Sequence, residues 1–278
     1  MNGTRIRVGI GGWNFEAWRG SFYPARWPQA RELAYASRRL SAIEINSTYY
    51  SDQKPATFAR WRRETPEGFV FTVKASRFAT QRRVLAEGAD SVRRFLGSGI
   101  AELGDRLGPI VWQLPPTHRF EPGDLSAFLD LLPDRLDGLS LRHVLDVRHA
   151  SFQCEQYLTL ARQRRVATVF TESPDYPPIA DPTSDVVYAR IMRTEAAQPW
   201  GCAPEVFPAL AACAQTWAAG GIPAGAPLLA SPPAATPRDV FIFFISGAKE
   251  RAPQAALALR RALGDAPDEE PGNGTSDG

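Results

Sequence analysis

Eight short apolar runs, rich in β-branched residues, recur along the chain. They cover residues 7–11, 42–46, 69–74, 109–114, 143–147, 166–170, 185–190 and 239–244. Their continuity suits parallel strands covered on both faces, rather than half-exposed antiparallel ones. Between them apolar residues return at helical spacing, over 32–40, 55–63, 125–132 and 156–165. Residues 204–218 and 252–263 add two more helical stretches, each with a proline near its start, where a first turn tolerates one. The clearest pattern is 89–107, where Val92, Phe95, Leu96, Ile100, Leu103 and Leu107 form one stripe and predict a single long helix. Strand and helix alternating in this way predict an α/β chain folded as a single (β/α)8 TIM-type barrel over residues 1–264. An open doubly wound sheet is the competing arrangement.

Two stretches break the rhythm. Residues 220–238 are rich in glycine, alanine and proline and read as a surface excursion between the helix over 204–218 and the eighth strand. Residues 265–278 are acidic and glycine-rich, with too little apolar area to repay ordering, and read as a disordered tail.

Composition narrows the function classes only a little. The 32 basic and 30 acidic side chains leave a net charge of +2, too balanced to point to a polyanion, so nucleic acid is the less favoured partner. Cys154, Cys202 and Cys213 form no Cys-x-x-Cys pair and read as small packing residues; their odd number fits a reducing compartment. No run approaches the ~20 apolar residues of a membrane span, and residues 1–8 hold no apolar leader core. The expected location is therefore cytoplasmic, with no membrane partner. Nothing in the pattern speaks to oligomeric state.

In a parallel barrel the chemistry lies where the strands end, so the polar residues there become candidates. The second strand delivers Glu44 and Asn46, followed by Tyr49 and Tyr50; the third delivers Lys74 and the fourth Gln113. The fifth delivers Asp146, Arg148 and His149, and the seventh Arg190. Each has an ordinary explanation as a solvated rim residue or a partner for backbone groups. Their convergence from different strands favours a site instead. Glu44 and Lys74 end neighbouring strands and are expected to form an ion pair in the mouth. Burial there can move a lysine or carboxyl pKa by up to ~3–5 units, which is how an acid or base is made. Arg148, Arg190 and Lys74 would grip a carboxylate or phosphate. The three histidines, His118, His143 and His149, fall on different elements without a metal-ligand spacing. Neither a phosphate-loop nor a dinucleotide motif occurs, so no metal and no cofactor is expected. Trp13, Phe15, Trp18, Phe22, Tyr23, Tyr49 and Tyr50 either pack the barrel mouth or wall a flat ligand.

Several of these segments resemble the domain-of-unknown-function 72 (YecE-like) family. The opening runs Gly9-Ile10-Gly11-Gly12-Trp13 and Trp18-Arg19-Gly20-Ser21-Phe22-Tyr23-Pro24 are similar to its first signature. Glu44-Ile45-Asn46-Ser47-Thr48-Tyr49-Tyr50, Lys74-Ala75-Ser76-Arg77 and the run from Gly108 to Pro116 are similar to the next three. The resemblance extends over about residues 6–263. It implies a barrel but no established reaction. It also exposes departures: Ala79-Thr80-Gln81 stands where the family usually has Ile-Thr-His, and Asp146 and Phe152 replace a Glu and a Trp. Arg190-Ile191-Met192-Arg193 stands for Arg-Leu-His-Gly, and Ile245-Ser246-Gly247 for Asn-Asn-Asp. Two histidines and an acidic amide cluster common in the family are thus absent.

The first expectation is an enzyme acting on an anionic or sugar-containing small molecule by metal-independent acid–base chemistry, a hydrolase or lyase. Glu44 would be the acid or base, Lys74 would tune it or touch substrate, and His149 would shuttle a proton. Trp13, Asn46, Tyr49, Tyr50, Gln113, Asp146, Arg148 and Arg190 would bind the substrate. The alternatives are a nuclease-like barrel acting on a phosphodiester and a non-catalytic ligand-binding or regulatory barrel.

Overall fold

A computed structural model describes residues 6–265. The chain runs β1 (Ile6–Gly11), α1 (Glu32–Arg39), β2 (Ala42–Ile45), α2 (Ser47–Tyr50), α3 (Pro55–Glu64), β3 (Val70–Lys74), α4 (Arg77–Thr80) and α5 (Ala89–Leu96). It continues through β4 (Leu107–Gln113), α6 (Pro122–Leu129), a small hairpin of β5 (Arg135–Leu136) and β6 (Leu139–Ser140), and β7 (His143–Asp146). The rest is α7 (Glu155–Gln163), β8 (Ala167–Glu172), β9 (Val186–Ile191), α8 (Val206–Ala218), β10 (Asp239–Phe244) and α9 (Ala252–Ala262). Eight strands close on themselves in the order β1-β10-β9-β8-β7-β4-β3-β2, and every pairing in the ring is parallel. The (β/α)8 expectation holds, and an open sheet is ruled out by the β1–β10 pairing that closes the ring.

Side chains alternate between the two faces of each strand, and the two faces have different jobs. Outward positions such as Ile43, Ile45, Phe71, Val73, Ile110, Trp112, Ile242 and Phe244 form the large core beneath the helices. Inward positions Ala42, Val70, Val111, Val144, Val169, Val186, Tyr188, Phe241 and Phe243 form a second cluster inside the barrel. Covering both faces is what makes the strands read as unbroken apolar runs.

One helix departs from its pattern. The stripe over 89–107 is split: α5 stops at Leu96, a 3-10 segment spans Ile100–Arg106, and Leu107 already belongs to β4. Gly99 and Gly104 adopt φ of 104° and 53°, which no α-helix accommodates. The apolar residues past the break still face the core, so Ile100 and Leu103 are buried as the stripe implied. The 220–238 excursion carries no helix or strand. Its middle is held by Asp181, whose carboxylate accepts the Leu229 and Ala230 backbone N–H groups at 2.9 and 3.1 Å. The expected tail over 265–278 lies, beyond Asp265, outside the described residues.

Candidate functional site

The same inward parity that fills the lower barrel with valine and alanine turns polar one layer higher. Ala42 is followed two residues on by Glu44, Val70 by Thr72 and then Lys74, Val111 by Gln113, and Val144 by Asp146. On β9, Val186 leads to Tyr188 and then Arg190. These residues meet in the barrel axis as one hydrogen-bonded network. The Arg190 guanidinium donates through Nη2 to both Glu44 oxygens at 2.7 Å. Its Nη1 donates to Asp146 Oδ2 at 2.6 Å and to Gln113 Oε1 at 3.1 Å. Tyr188 donates its hydroxyl to Glu44 Oε2 at 2.6 Å and lies 2.9 Å from the Thr72 hydroxyl. Arg148, just past β7, donates Nη2 to Gln113 Oε1 and Asp146 Oδ2, both at 3.0 Å. Its guanidinium also stacks 4.4 Å from the Tyr176 ring centroid. Glu44, Asp146 and Arg190 are essentially closed to solvent, whereas the Arg148 side chain is 13% exposed.

Burial alone would lower the Arg190 pKa, but Glu44, Asp146 and Tyr188 together raise it above its ordinary value. The arginine is thus a fixed charge that both carboxylates share. Tyr188 is pushed well up by burial and by Glu44, so it remains a neutral donor.

Lys74 differs from every other member. The expected Glu44–Lys74 ion pair does not form, because Arg190 occupies Glu44 instead. Register explains this: Glu44 lies level with Thr72 on β3, so Lys74 stands one inward position above it. The longer arginine reaches Glu44 from across the barrel. Among the described residues no hydrogen bond or ion pair holds the Lys74 ammonium, which sits half-buried, 4.1 Å from the Tyr49 ring centroid. Desolvation by burial, followed by repulsion from Arg190, lowers its pKa from 10.5 to about 8, against the pull of Glu44 and Asp146. Arg148 adds to the lowering. Tyr49 itself accepts from Gln81 Nε2 at 2.7 Å, and burial followed by its neighbour Tyr50 raises its pKa.

The remaining expected residues divide into two groups. Trp13, Asn46 and Tyr50 line a cavity of about 570 Å³ at the ends of β1, β2 and β10, together with Phe15, Gln53 and Lys249. Tyr50 is 64% exposed at its rim. A second cavity of about 540 Å³ opens above β3 and β4, lined by Gln81, Arg83, His118 and Arg119 among others. Tyr49, the ring against Lys74, touches Tyr50 of the first cavity and Gln81 of the second, while Lys74 itself lines neither. His149 is tied to its own turn: Nδ1 accepts the Ser151 backbone N–H at 3.1 Å and lies 2.8 Å from the Ser151 hydroxyl. No hydrogen bond joins it to the Glu44–Arg190 network among the described residues. His143 is a packing histidine below the site, taking the Trp112 indole N–H on Nδ1 and facing the Pro133 carbonyl with Nε2.

Tyr188 and Thr72 are the members that strand ends did not reveal. Both lie two residues before a candidate, on the same face as Arg190 and Lys74, so counting back by two along each strand would have found them. Among the described residues no three of His, Cys, Asp and Glu come together in a group suited to a metal. No helix there is long and apolar enough to cross a membrane.

Known proteins fit this architecture. The Escherichia coli K12 protein YecE, of the UPF0759 group, is 33% identical over 145 residues, which is 49% of this chain and 50% of YecE. The match thus spans about half the length of that relative. A DUF72 family protein from Thermotoga maritima superposes with a TM-score of 0.70 at 21% identity, covering 93% of this chain and 99% of that one. One from Enterococcus faecalis superposes at 0.68 with 14% identity, covering 96% and 99%. At these identities the likeness speaks for the barrel alone. The family model described as "Protein of unknown function DUF72" matches residues 7–275, nearly the whole chain, and the protein therefore belongs to the DUF72 family.

Proposed function

We propose that the protein is an enzyme acting on a small anionic, sugar-like or otherwise polar substrate by acid–base chemistry at the C-terminal mouth of the barrel. The observation that carries this is the charge balance of the network. Glu44 and Asp146 offset Arg148 and Arg190, so the proton on Lys74 is a surplus positive charge with no counter-ion among the described residues. A half-buried cation of this kind is stabilised by an arriving anion. Glu44 is moved out of the acid or base role: both its oxygens are occupied, and it serves to hold Arg190. Lys74 takes that role, since a group titrating near neutral pH can both accept and return a proton. Trp13, Asn46 and Tyr50 would supply the face for the uncharged part of the substrate.

A thermal-shift series of small carboxylates, sugar acids and sugar phosphates tests the reading, followed by turnover assays on whatever stabilises. Stabilisation by anions should vanish in Lys74→Met and weaken in Arg148→Gln. Equal stabilisation of all three chains, or none by any anion, would remove the proposal. A phosphodiester substrate is the second reading, favoured by the exposed Arg83 and Arg119 around the cavity above β3 and β4. Binding of a short single-stranded oligonucleotide that falls steeply with salt would support it.

A further inference from the structure

We infer that Lys74 is a nucleophile that condenses with the carbonyl group of a small carboxylate carrying an aldehyde or ketone, giving a reversible imine. The inference rests on the anion-holding mouth proposed above and names its substrate class.

The chain's choice of cations is the first observation. Of its 32 basic side chains only three, Lys54, Lys74 and Lys249, are lysines. Around the barrel mouth it uses arginine at 77, 148 and 190. A guanidinium keeps its proton throughout the accessible pH range, whereas an amine can release it and expose a lone pair. Lys74 is thus the inward-facing cation of this site that can become a nucleophile.

Its surroundings favour that state. No hydrogen bond or ion pair ties up its nitrogen among the described residues, and the Tyr49 ring face at 4.1 Å is a cation–π contact that favours the ammonium only modestly. Desolvation by burial is the main force against the protonated form; repulsion from Arg190 and Arg148 adds to it and is opposed by Glu44 and Asp146. Arg148 spends Nε and Nη2 on Asp146 and Gln113, but its Nη1 carries no hydrogen bond among the described residues. That group is placed to hold the substrate carboxylate. Tyr49 accepts from Gln81, which leaves its own hydroxyl hydrogen free to give.

The step balances without oxidant or reductant. The Lys74 nitrogen lone pair forms a bond to the carbonyl carbon, and the π pair moves to oxygen, which takes a proton from Tyr49 while the nitrogen returns one of its own to the Tyr49 oxygen. In the resulting neutral carbinolamine the nitrogen pair forms the C=N bond as the C–O bond breaks, and the hydroxide leaves as water with the remaining N–H proton. Amine and carbonyl become imine and water. The carbon next to the imine then carries an acidified proton, or a carboxylate able to leave as carbon dioxide, which is the use to which such an imine is put.

Reductive trapping tests this on the full chain. The protein is incubated with glyoxylate or pyruvate at pH 7, sodium borohydride is added, and the modified lysine is located by peptide mass mapping. Lys54, exposed and in the lining of neither cavity, serves as the internal control, and Lys249, exposed at the mouth cavity, is mapped beside it. Ordinary surface labelling would favour them, whereas the inference expects Lys74 to be modified roughly tenfold faster or more, because far more of it is free amine at this pH. Lys74→Arg should lose the adduct while remaining folded by its melting curve, and prior addition of acetate should slow trapping. Labelling confined to Lys54, Lys249 and the N-terminus would overturn the inference. Thermal shift by glyoxylate, measured in the same samples, separates the two failures: a shift without an adduct removes only the imine, and neither removes the anion site as well.

Discussion

At the scale of single residues, Glu44 and Lys74 are expected to behave as opposites. Glu44 holds Arg190 with both oxygens inside the barrel, so Glu44→Gln leaves a buried guanidinium short of one partner. Breaking a buried pair in this way typically costs ~3–5 kcal/mol, and the remaining bonds to Asp146 and Gln113 place this case near the lower end. A urea titration of the variant measures it; a midpoint equal to the parent's would mean that the network contributes nothing to stability. Lys74→Met is expected to stabilise. The lysine titrates at about 8 in the folded protein against 10.5 when unperturbed, so between those values the unfolded chain binds the extra proton. The folded state therefore carries a penalty below pH 8 that fades as pH rises toward 10.5. At pH 7 the variant should gain about 1–3 kcal/mol over the parent, and the gap should close by pH 10.5. A gap that is constant with pH would assign the gain to packing instead. Stability bought by removing a strained charge is the usual signature of a functional group.

Among the elements, the break after α5 is the one the apolar pattern concealed. Ile100, Leu103 and Leu107 keep helical spacing, but a 3-10 turn followed by a strand can bury the same residues. The deciding residues are glycines, which apolar periodicity ignores. A Cβ on Gly99 would stand 2.7 Å from Pro55 at the start of α3, and its φ of 104° is also unfavourable to any L side chain. Gly138 makes the comparison: it turns the β5–β6 hairpin with φ of 83°, yet nothing lies within 4 Å of a Cβ there. Gly138→Ala should cost only the backbone preference, roughly 1 kcal/mol. Gly99→Ala should cost more, on the order of 2–4 kcal/mol, since α3 must shift as well. Equal losses in the two chains, by urea unfolding, would show that the contact with Pro55 does not matter.

For the whole molecule, the barrel was legible because eight doubly buried strands leave eight unbroken apolar runs, and the helices between them have ordinary amphipathic spacing. The candidate side chains were legible as well, because the upper inward layer of such a barrel is where polar residues interrupt those runs. Their pairing was not. Glu44 and Lys74 are neighbours by strand, but the register sets them at different heights, and Arg190 reaches Glu44 from the far side of the ring. A single sequence does not reveal contacts across a closed barrel. His149 illustrates a second gap: its placement at a strand end is real, yet its Nδ1 caps the turn that follows.

The state of Lys74 is the point on which the functional reading turns, and the chain's scarcity of lysine makes it directly observable. With 13C-labelled lysine only three side-chain signals arise, from Lys54, Lys74 and Lys249. Assigned through Lys74→Arg and followed from pH 6 to 12, the Lys74 signal should titrate at about 8, well below the other two. Saturating glyoxylate should move that signal to the position of an imine, while acetate should raise its pKa by neutralising the surplus charge. A Lys74 signal that titrates near 10.5 and responds to neither anion would contradict the proposal.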